Sequence, residues 1–283
     1  MGQHLFYDRA LSYNQRIACA DCHQQRYAFS DPVRFSKGAD GDALPRHTLT
    51  LVNLRDRRHF GWVDSREQTL SEQMLRPLLN TLPVEMGWKG HEPVILKRID
   101  ERYRDARFVL FPEADSLDRA HIISAIVAFE RTLVSQNSTF DRWFVADERP
   151  DKNVIDGFRL FASDRLGCAN CHNGPDLGGH GFRNTGLRGR DHGLATHAVQ
   201  TEDEHQFLVP SLRNVEVSAP YMHDGRFQTL DDVIAFYAAG NPDHELTAFA
   251  LTPQESGALI AFLHSLTDHQ FLTNPALGPP ASP

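Results

Sequence analysis

Cys19-Ala20-Asp21-Cys22-His23 decides how this chain is read, and it has an echo at Cys168-Ala169-Asn170-Cys171-His172. C-x-x-C-H is the attachment signal of c-type haem. Its two thiols add across the vinyl groups and fix the macrocycle covalently, and the adjoining histidine sits beneath the iron as proximal ligand. The sequence holds four cysteines, and the two motifs use all of them. None is left for a structural disulfide or a nucleophile. A redox dithiol of the thioredoxin kind belongs in a βαβ context, which is missing here. A zinc ribbon wants its second C-x-x-C roughly 15–20 residues on. Neither alternative explains a histidine after both pairs. Two covalent haems are therefore expected, one on Cys19, Cys22 and His23, the other on Cys168, Cys171 and His172.

A chain of 283 residues has room for two domains of ordinary size. Hydrophobic content of 41% and charge of 23% are those of a soluble globular protein. No apolar run approaches the ~20 residues of a membrane span. A net charge of −8 with no basic stripe argues against nucleic acid and suits a basic redox partner. Residues 1–18 lack the basic and apolar regions of a signal peptide. Covalent haem attachment usually takes place outside the cytoplasm. The expectation is an exported, periplasmic protein whose signal peptide has been cut away.

Every periodic segment reads as helix, and no period-two alternation is sustained, so the expected fold is all-α. Ser116-Leu117-Asp118 caps a helix whose apolar stripe (Ile122, Ile123, Ile126, Val127, Phe129, Leu133, Val134) runs to Ser135. Residues 154–162 form a helix leading into the second motif, with Phe158 and Phe161 on its apolar side. Thr252-Pro253-Gln254-Glu255 combines an N-cap, a proline at the first helical position and an acid at the third. The tail from Asn274 is Pro-rich and reads as extended. Each half thus has a motif, long loops and a closing amphipathic helix, the plan of a cytochrome c domain made twice. The polar stretch 146–153 is the expected linker, dividing the chain into residues 1–150 and 151–283. Long Gly-rich loops such as 174–193 fit a core completed by a prosthetic group.

The other axial position decides what each haem does. Thr229-Leu230-Asp231-Asp232 starts a helix that stops at Gly240, with Leu230, Val233, Ile234 and Tyr237 on one face. Tyr237 reads either as a core aromatic with its hydroxyl satisfied or as an axial phenolate. Met222 in Pro220-Tyr221-Met222-His223-Asp224-Gly225, which reads as a turn, is a rival ligand. The first haem has no obvious sixth ligand, although His47 and His59 stay open. An open site would let peroxide bind, and a nearby carboxylate would move its proton. Glu85 in Pro83-Val84-Glu85-Met86-Gly87 is the candidate, with Gln73 as a hydrogen-bonding neighbour.

These residues resemble the bacterial dihaem cytochrome c peroxidases, and among them the MauG-like branch. The resemblance runs nearly end to end. It covers Leu5-Phe6-Tyr7-Asp8, Ala28-Phe29-Ser30-Asp31, Pro45-Arg46-His47-Thr48, Glu72-Gln73-Met74 and Pro83–Gly87. It continues through Val209-Pro210-Ser211-Leu212-Arg213-Asn214, Ala219–Gly225 and Ala261–Thr267. It implies that Glu85 is the distal catalytic glutamate and Gln73 the glutamine beside it. It places Tyr237 where MauG-like proteins carry a tyrosine ligand and other peroxidases a methionine. It implies a calcium ion between the domains, on the Asn53 side chain and the carbonyls of Ser218 and Pro220. Trp62 matches a tryptophan that relays electrons between the haems, although the familiar Trp-Asp-Gly-Arg pattern is here Trp62-Val63-Asp64-Ser65-Arg66. The stretch Leu70–Leu78, leading to Val84–Gly87, most resembles MbnH-type members, MauG-like partners of copper-binding proteins that oxidise a tryptophan on the partner. The implied activity uses hydrogen peroxide to reach a high-valent two-haem state that oxidises a partner protein over a distance. A detoxifying peroxidase fed by a small cytochrome or cupredoxin is the alternative, and a non-enzymatic dihaem electron carrier the third.

Overall fold

The computed structural model describes residues 1–64, 69–179, 181–196, 204–241 and 247–281. Ser65 and Arg66 of the tryptophan stretch lie outside them. The helices are α1 (Gly2–Tyr7), α2 (Cys19–Cys22), α3 (Leu70–Leu79), α4 (Glu92–Arg102), α5 (Arg104–Leu110) and α6 (Arg119–Glu130). They continue with α7 (Thr139–Ala146), α8 (Lys152–Phe161), α9 (Cys168–Cys171), α10 (Leu230–Ala239), α11 (Pro253–His264) and α12 (His269–Thr273).

Side-chain caps start α6, α10 and α11 where the sequence places them. Thr252 accepts from the Glu255 amide while the Glu255 carboxylate takes the Thr252 amide, so two otherwise unpaired donors are satisfied together. Asp118 caps α6 through the His121 amide, and Thr229 caps α10 through Asp232. Gly240 then ends α10 at a φ of 64°.

Two helix crossings of the same design hold the chain together. Gly2 lets α1 press on α6; a Cβ there would lie 1.9 Å from the Ala125 carbonyl oxygen. Gly157 does the same for α8 against α11, with a Cβ 1.9 Å from the Ala258 carbonyl oxygen. One turn along, Phe6 meets Phe129 with centroids 5.2 Å apart, and Phe161 meets Phe262 at 4.9 Å. Glycine to phenylalanine and alanine to phenylalanine are four residues apart in each helix, which puts them on one face.

Around these crossings lie separate apolar clusters. The first includes Leu5, Phe6, Phe29, Met74, Trp88, Ile99 and Ile126. The second includes Phe161, Leu230, Ile234, Leu259 and Phe262. Packing crosses the expected division near residue 150. Phe140 of α7 packs on the second cluster, whereas Phe271 and Leu277 return to the first.

Three local expectations change. A short antiparallel pair, β1 (Phe182–Arg183) with β2 (Phe207–Leu208), adds a trace of sheet to the helical fold. The sixth helix ends at Glu130 rather than Ser135, because the Leu133 carbonyl and the Ser135 amide leave the helix to bond Asn53. The tail turns rather than extends: the Asn274 side chain accepts from the Ala276 amide, and Leu277 is buried.

Gly157→Ala should force α8 from α11 and destabilise the protein by about 1–3 kcal/mol, the usual size of core overpacking. Urea unfolding followed at the second crossing would show it. Unchanged stability would mean that the crossing does not limit the fold.

Candidate functional site

Each motif forms a helix of four residues, so its two cysteines lie three apart on one face, and its histidine follows at the C-terminal cap. His23 Nδ1 lies 2.8 Å from the Phe29 carbonyl oxygen, and His172 Nδ1 lies 3.1 Å from that of Leu177. A carbonyl can only accept, so Nδ1 carries the proton and Nε2 keeps its lone pair for a metal. Both carbonyls belong to residues in the left-handed region, Phe29 at φ 58° and Leu177 at φ 47°. Burial holds both histidines below their ordinary pKa and thus neutral. Paired thiols and a neutral, oriented imidazole are the donor set that a covalent haem requires.

A cavity of about 570 Å³, the size of a cofactor pocket, opens beside the second motif. Cys168, Cys171 and His172 line it, as do Leu230, Val233, Ile234 and Tyr237 of α10. The helical face read from the sequence is thus the face that borders the cavity. The Tyr237 hydroxyl has no hydrogen-bond partner among the described residues, unlike a satisfied core tyrosine. Burial and the neighbouring Cys171 and Cys168 push its pKa up. Met222, at φ 71° in its turn, borders the same cavity, so both rival ligands line it.

Trp62 also lines this cavity. Its Nε1 donates to the His47 carbonyl oxygen at 2.6 Å, and its own carbonyl accepts from the Leu208 amide at 2.9 Å. Its ring lies 6.4 Å from His223, which stacks on Phe207 at 3.5 Å. Burial pushes His223 down to about 4, so this aromatic run is uncharged at neutral pH.

Glu85 sits on a loop stapled by four backbone bonds. Ala39 N–H donates to the Glu85 carbonyl at 2.8 Å, and Tyr13 N–H to Met86, Met86 N–H to Pro77 and Trp88 N–H to Leu78 at 2.9 Å each. Its carboxyl lies near enough to Cys22 to act on that thiol, which places it by the first motif. Burial raises its pKa to about 7, and the Arg76 guanidinium opposes the rise. Gln73 stands one turn before Arg76 on α3, on the same side of the helix. Arg76 also pairs with buried Asp64.

The remaining expectations divide. His47 uses both ring nitrogens on protein, Nδ1 on the Val33 carbonyl at 3.1 Å and Nε2 on Ser30 Oγ at 3.3 Å. It is a structural hub here. His59 packs edge-on against Phe182. Ser218 and Pro220 border the cavity, whereas Asn53 does not. The Asn53 amide instead bridges Ser135 and Asp176.

Two charged residues escaped the sequence reading. Arg76 was legible in principle, three residues beyond Gln73. Glu130 was not, because it occupies an ordinary position at the end of α6. It is buried, its Oε2 has no hydrogen-bond partner among the described residues, and it lies near enough to Cys19 to act on that thiol. Burial raises its pKa to about 8.

Residues 1–149 match the family model of di-haem cytochrome c peroxidase. The chain is 32% identical over 275 residues to the methylamine utilization protein MauG of Methylorubrum extorquens, covering 94% of this chain and 77% of that one. It is 32% identical over 278 residues to the cytochrome c peroxidase Ccp of Escherichia coli, covering 94% of this chain and 57% of that one. A solved MauG-like protein associated with microbial copper homeostasis is 31% identical, with a TM-score of 0.91 over 99% of this chain and 91% of that one. The chain belongs to the di-haem cytochrome c peroxidase family and is an oxidoreductase of the haem peroxidase type.

Glu130 makes stability depend on pH. The unfolded chain releases this proton near 4.5, whereas the folded chain keeps it to about 8. Stability should therefore fall as pH rises through that window, by no more than about 5 kcal/mol, and Glu130→Gln should flatten the slope. Urea midpoints at pH 5 and pH 8 check this; equal slopes in the two proteins would count against it.

Proposed function

We propose that this peroxidase uses hydrogen peroxide to oxidise a partner protein by long-range electron transfer, modifying a side chain such as tryptophan. Tyr237 carries the reading: it lines the cavity together with Cys168, Cys171 and His172, and its hydroxyl has no hydrogen-bond partner among the described residues. A phenolate on iron lowers its potential and so favours its oxidised forms. When bound, the two haems, on His23 and on His172 with Tyr237, supply the iron that reacts with peroxide and holds oxidising equivalents.

The chain's own groups have distinct parts in this proposal. Glu85, with a pKa of about 7, takes a proton from one peroxide oxygen and returns it to the other. Arg76 keeps Glu85 from losing its charge altogether, and Gln73 helps to position it. Trp62 relays electrons between the halves, supported by its place on the cavity and its contact with uncharged His223. A division into cytochrome c-like domains at residues 1–150 and 151–283, and export to the periplasm, belong to the same proposal. So does a calcium ion on Asn53, Ser218 and Pro220. Asn53 Oδ1 accepts one bond, from Ser135, and keeps a second lone pair for a hard cation. The copper-homeostasis association of the MauG-like structural relative suggests a copper-binding protein as partner.

Met222 favours a second reading. Its thioether borders the same cavity, and a methionine ligand would raise the potential as in a peroxidase fed by a small cytochrome or cupredoxin.

Stoichiometric hydrogen peroxide added to the fully ferric protein should abolish both ferric EPR signals. No reaction until one haem is reduced would support the second reading. Glu85→Gln should slow the reaction by about 10²- to 10⁴-fold, and unchanged kinetics would remove Glu85 from its role. Tyr237→Phe should alter the ferric spectrum of the second haem while Met222→Leu leaves it unmoved; the reverse pattern would select Met222 as ligand.

A further inference from the structure

A second kind of ligand cluster stands away from the haem motifs. His192, Glu204 and His205 bring a ligand atom each within 4.8 Å of one another. His192 Nδ1 lies 3.2 Å and His205 Nε2 lies 3.8 Å from the same Glu204 oxygen. We propose that these three residues bind one divalent transition-metal ion of the zinc and copper class, with a coordination position left open to solvent.

The donor chemistry selects the ion. Two imidazoles and a carboxylate suit zinc or copper, whereas calcium and magnesium ask for oxygen alone. Ligands at about 2.0–2.2 Å in a tetrahedron stand roughly 3.3–3.6 Å apart. The two separations to Glu204 bracket that range, and the two imidazole nitrogens lie within 4.8 Å of each other, so rotation of the rings toward a shared centre would complete the set.

The backbone prepares the site. The His205 amide donates to the His192 carbonyl at 2.9 Å and the Leu194 amide to the Gln206 carbonyl at 3.0 Å. Gly193 permits this approach, at φ 63°, since a Cβ there would lie 2.5 Å from the Gln206 oxygen. His205 is in the left-handed region at φ 59°, and its Nδ1 lies 2.9 Å from the Asp191 carbonyl oxygen. That bond leaves Nε2 as the ligating nitrogen, by the device that orients His23 and His172. Asp191 is itself fixed, its carboxylate held at 2.6 and 2.8 Å by Arg46. His192 and Glu204 are exposed, so an ion could enter and keep a water or take a ligand from a partner.

The position gives the site a bearing on the rest of the molecule. His205 is two residues from Phe207, whose ring stacks on His223 beside Trp62.

The test is titration of the purified, chelator-washed haem-loaded protein with zinc alone and copper alone. Calorimetry should find a zinc site that weakens at least about tenfold in His192→Ala and in His205→Ala. Substoichiometric copper should give an EPR signal with nitrogen coupling that loses intensity in the same variants. An unchanged Soret band and circular dichroism spectrum would show that each variant folds. Zinc affinity equal in wild-type protein and in a doubly substituted His192→Ala, His205→Ala protein would overturn the proposal. Absence of any zinc site would do the same.

Discussion

A hydrogen bond from a histidine ring to a strained backbone carbonyl is the constraint on which both halves depend. Phe29 and Leu177 occupy the left-handed region, where a bulky side chain costs roughly 1–2 kcal/mol. Phe29 is fully buried, and packing around its ring offsets that cost. The return is orientation, because each carbonyl fixes one tautomer and leaves the opposite nitrogen to a metal. A residue in extended backbone would turn its carbonyl elsewhere. The imidazole would then be free to rotate, and covalent attachment through the thiols would not by itself align the iron.

The second of these carbonyls is anchored from both halves. Asp176, next to Leu177, accepts from Asn53 at 2.7 Å and from Arg213 at 3.1 Å. Arg213 is buried and also holds Asp141 through two contacts of 2.9 Å. Asn53 binds Ser135 through both its amide groups, and Ser135 Oγ accepts from Asn214 at 2.9 Å. Asn214 in turn accepts from the Asp268 amide. These polar groups are satisfied together, which is the condition under which a buried network adds rigidity rather than cost. Through it, the loop that orients His172 is tied to residues more than a hundred positions away.

What could be read in advance follows the range of the interaction responsible. The haem motifs, the Thr252–Glu255 cap, the Gly240 stop and the cavity face of α10 are written in neighbouring residues, and they were legible. Glu85 and Tyr237 were placed by resemblance, and the structure adds their surroundings. The unread features arise from contacts between distant segments. Gly157 looks like an ordinary helix-weakening glycine until α11 is laid against it. Nothing near Phe29 announces a left-handed backbone. The end of α6 was misplaced because Asn53, far earlier in the chain, competes for the groups at Leu133 and Ser135. Glu130 looks like any acid at a helix end until its burial is known.

The tail has a consequence for how the molecule comes into being. Gln25 donates to the carbonyls of Phe271 and Asn274, Tyr7 to that of Leu277, and Gln3 to those of Ala276 and Gly278. Phe271 and Leu277 fill the first apolar cluster, across a sequence separation of 246 residues in the Gln25–Phe271 bond. The compartment around the first motif is therefore completed by segments synthesised after the second motif. The packing of the first half is incomplete until Phe271 and Leu277 are in place. Docking of the tail then closes that half. The half that is made first therefore draws part of its core from residues made after the second motif.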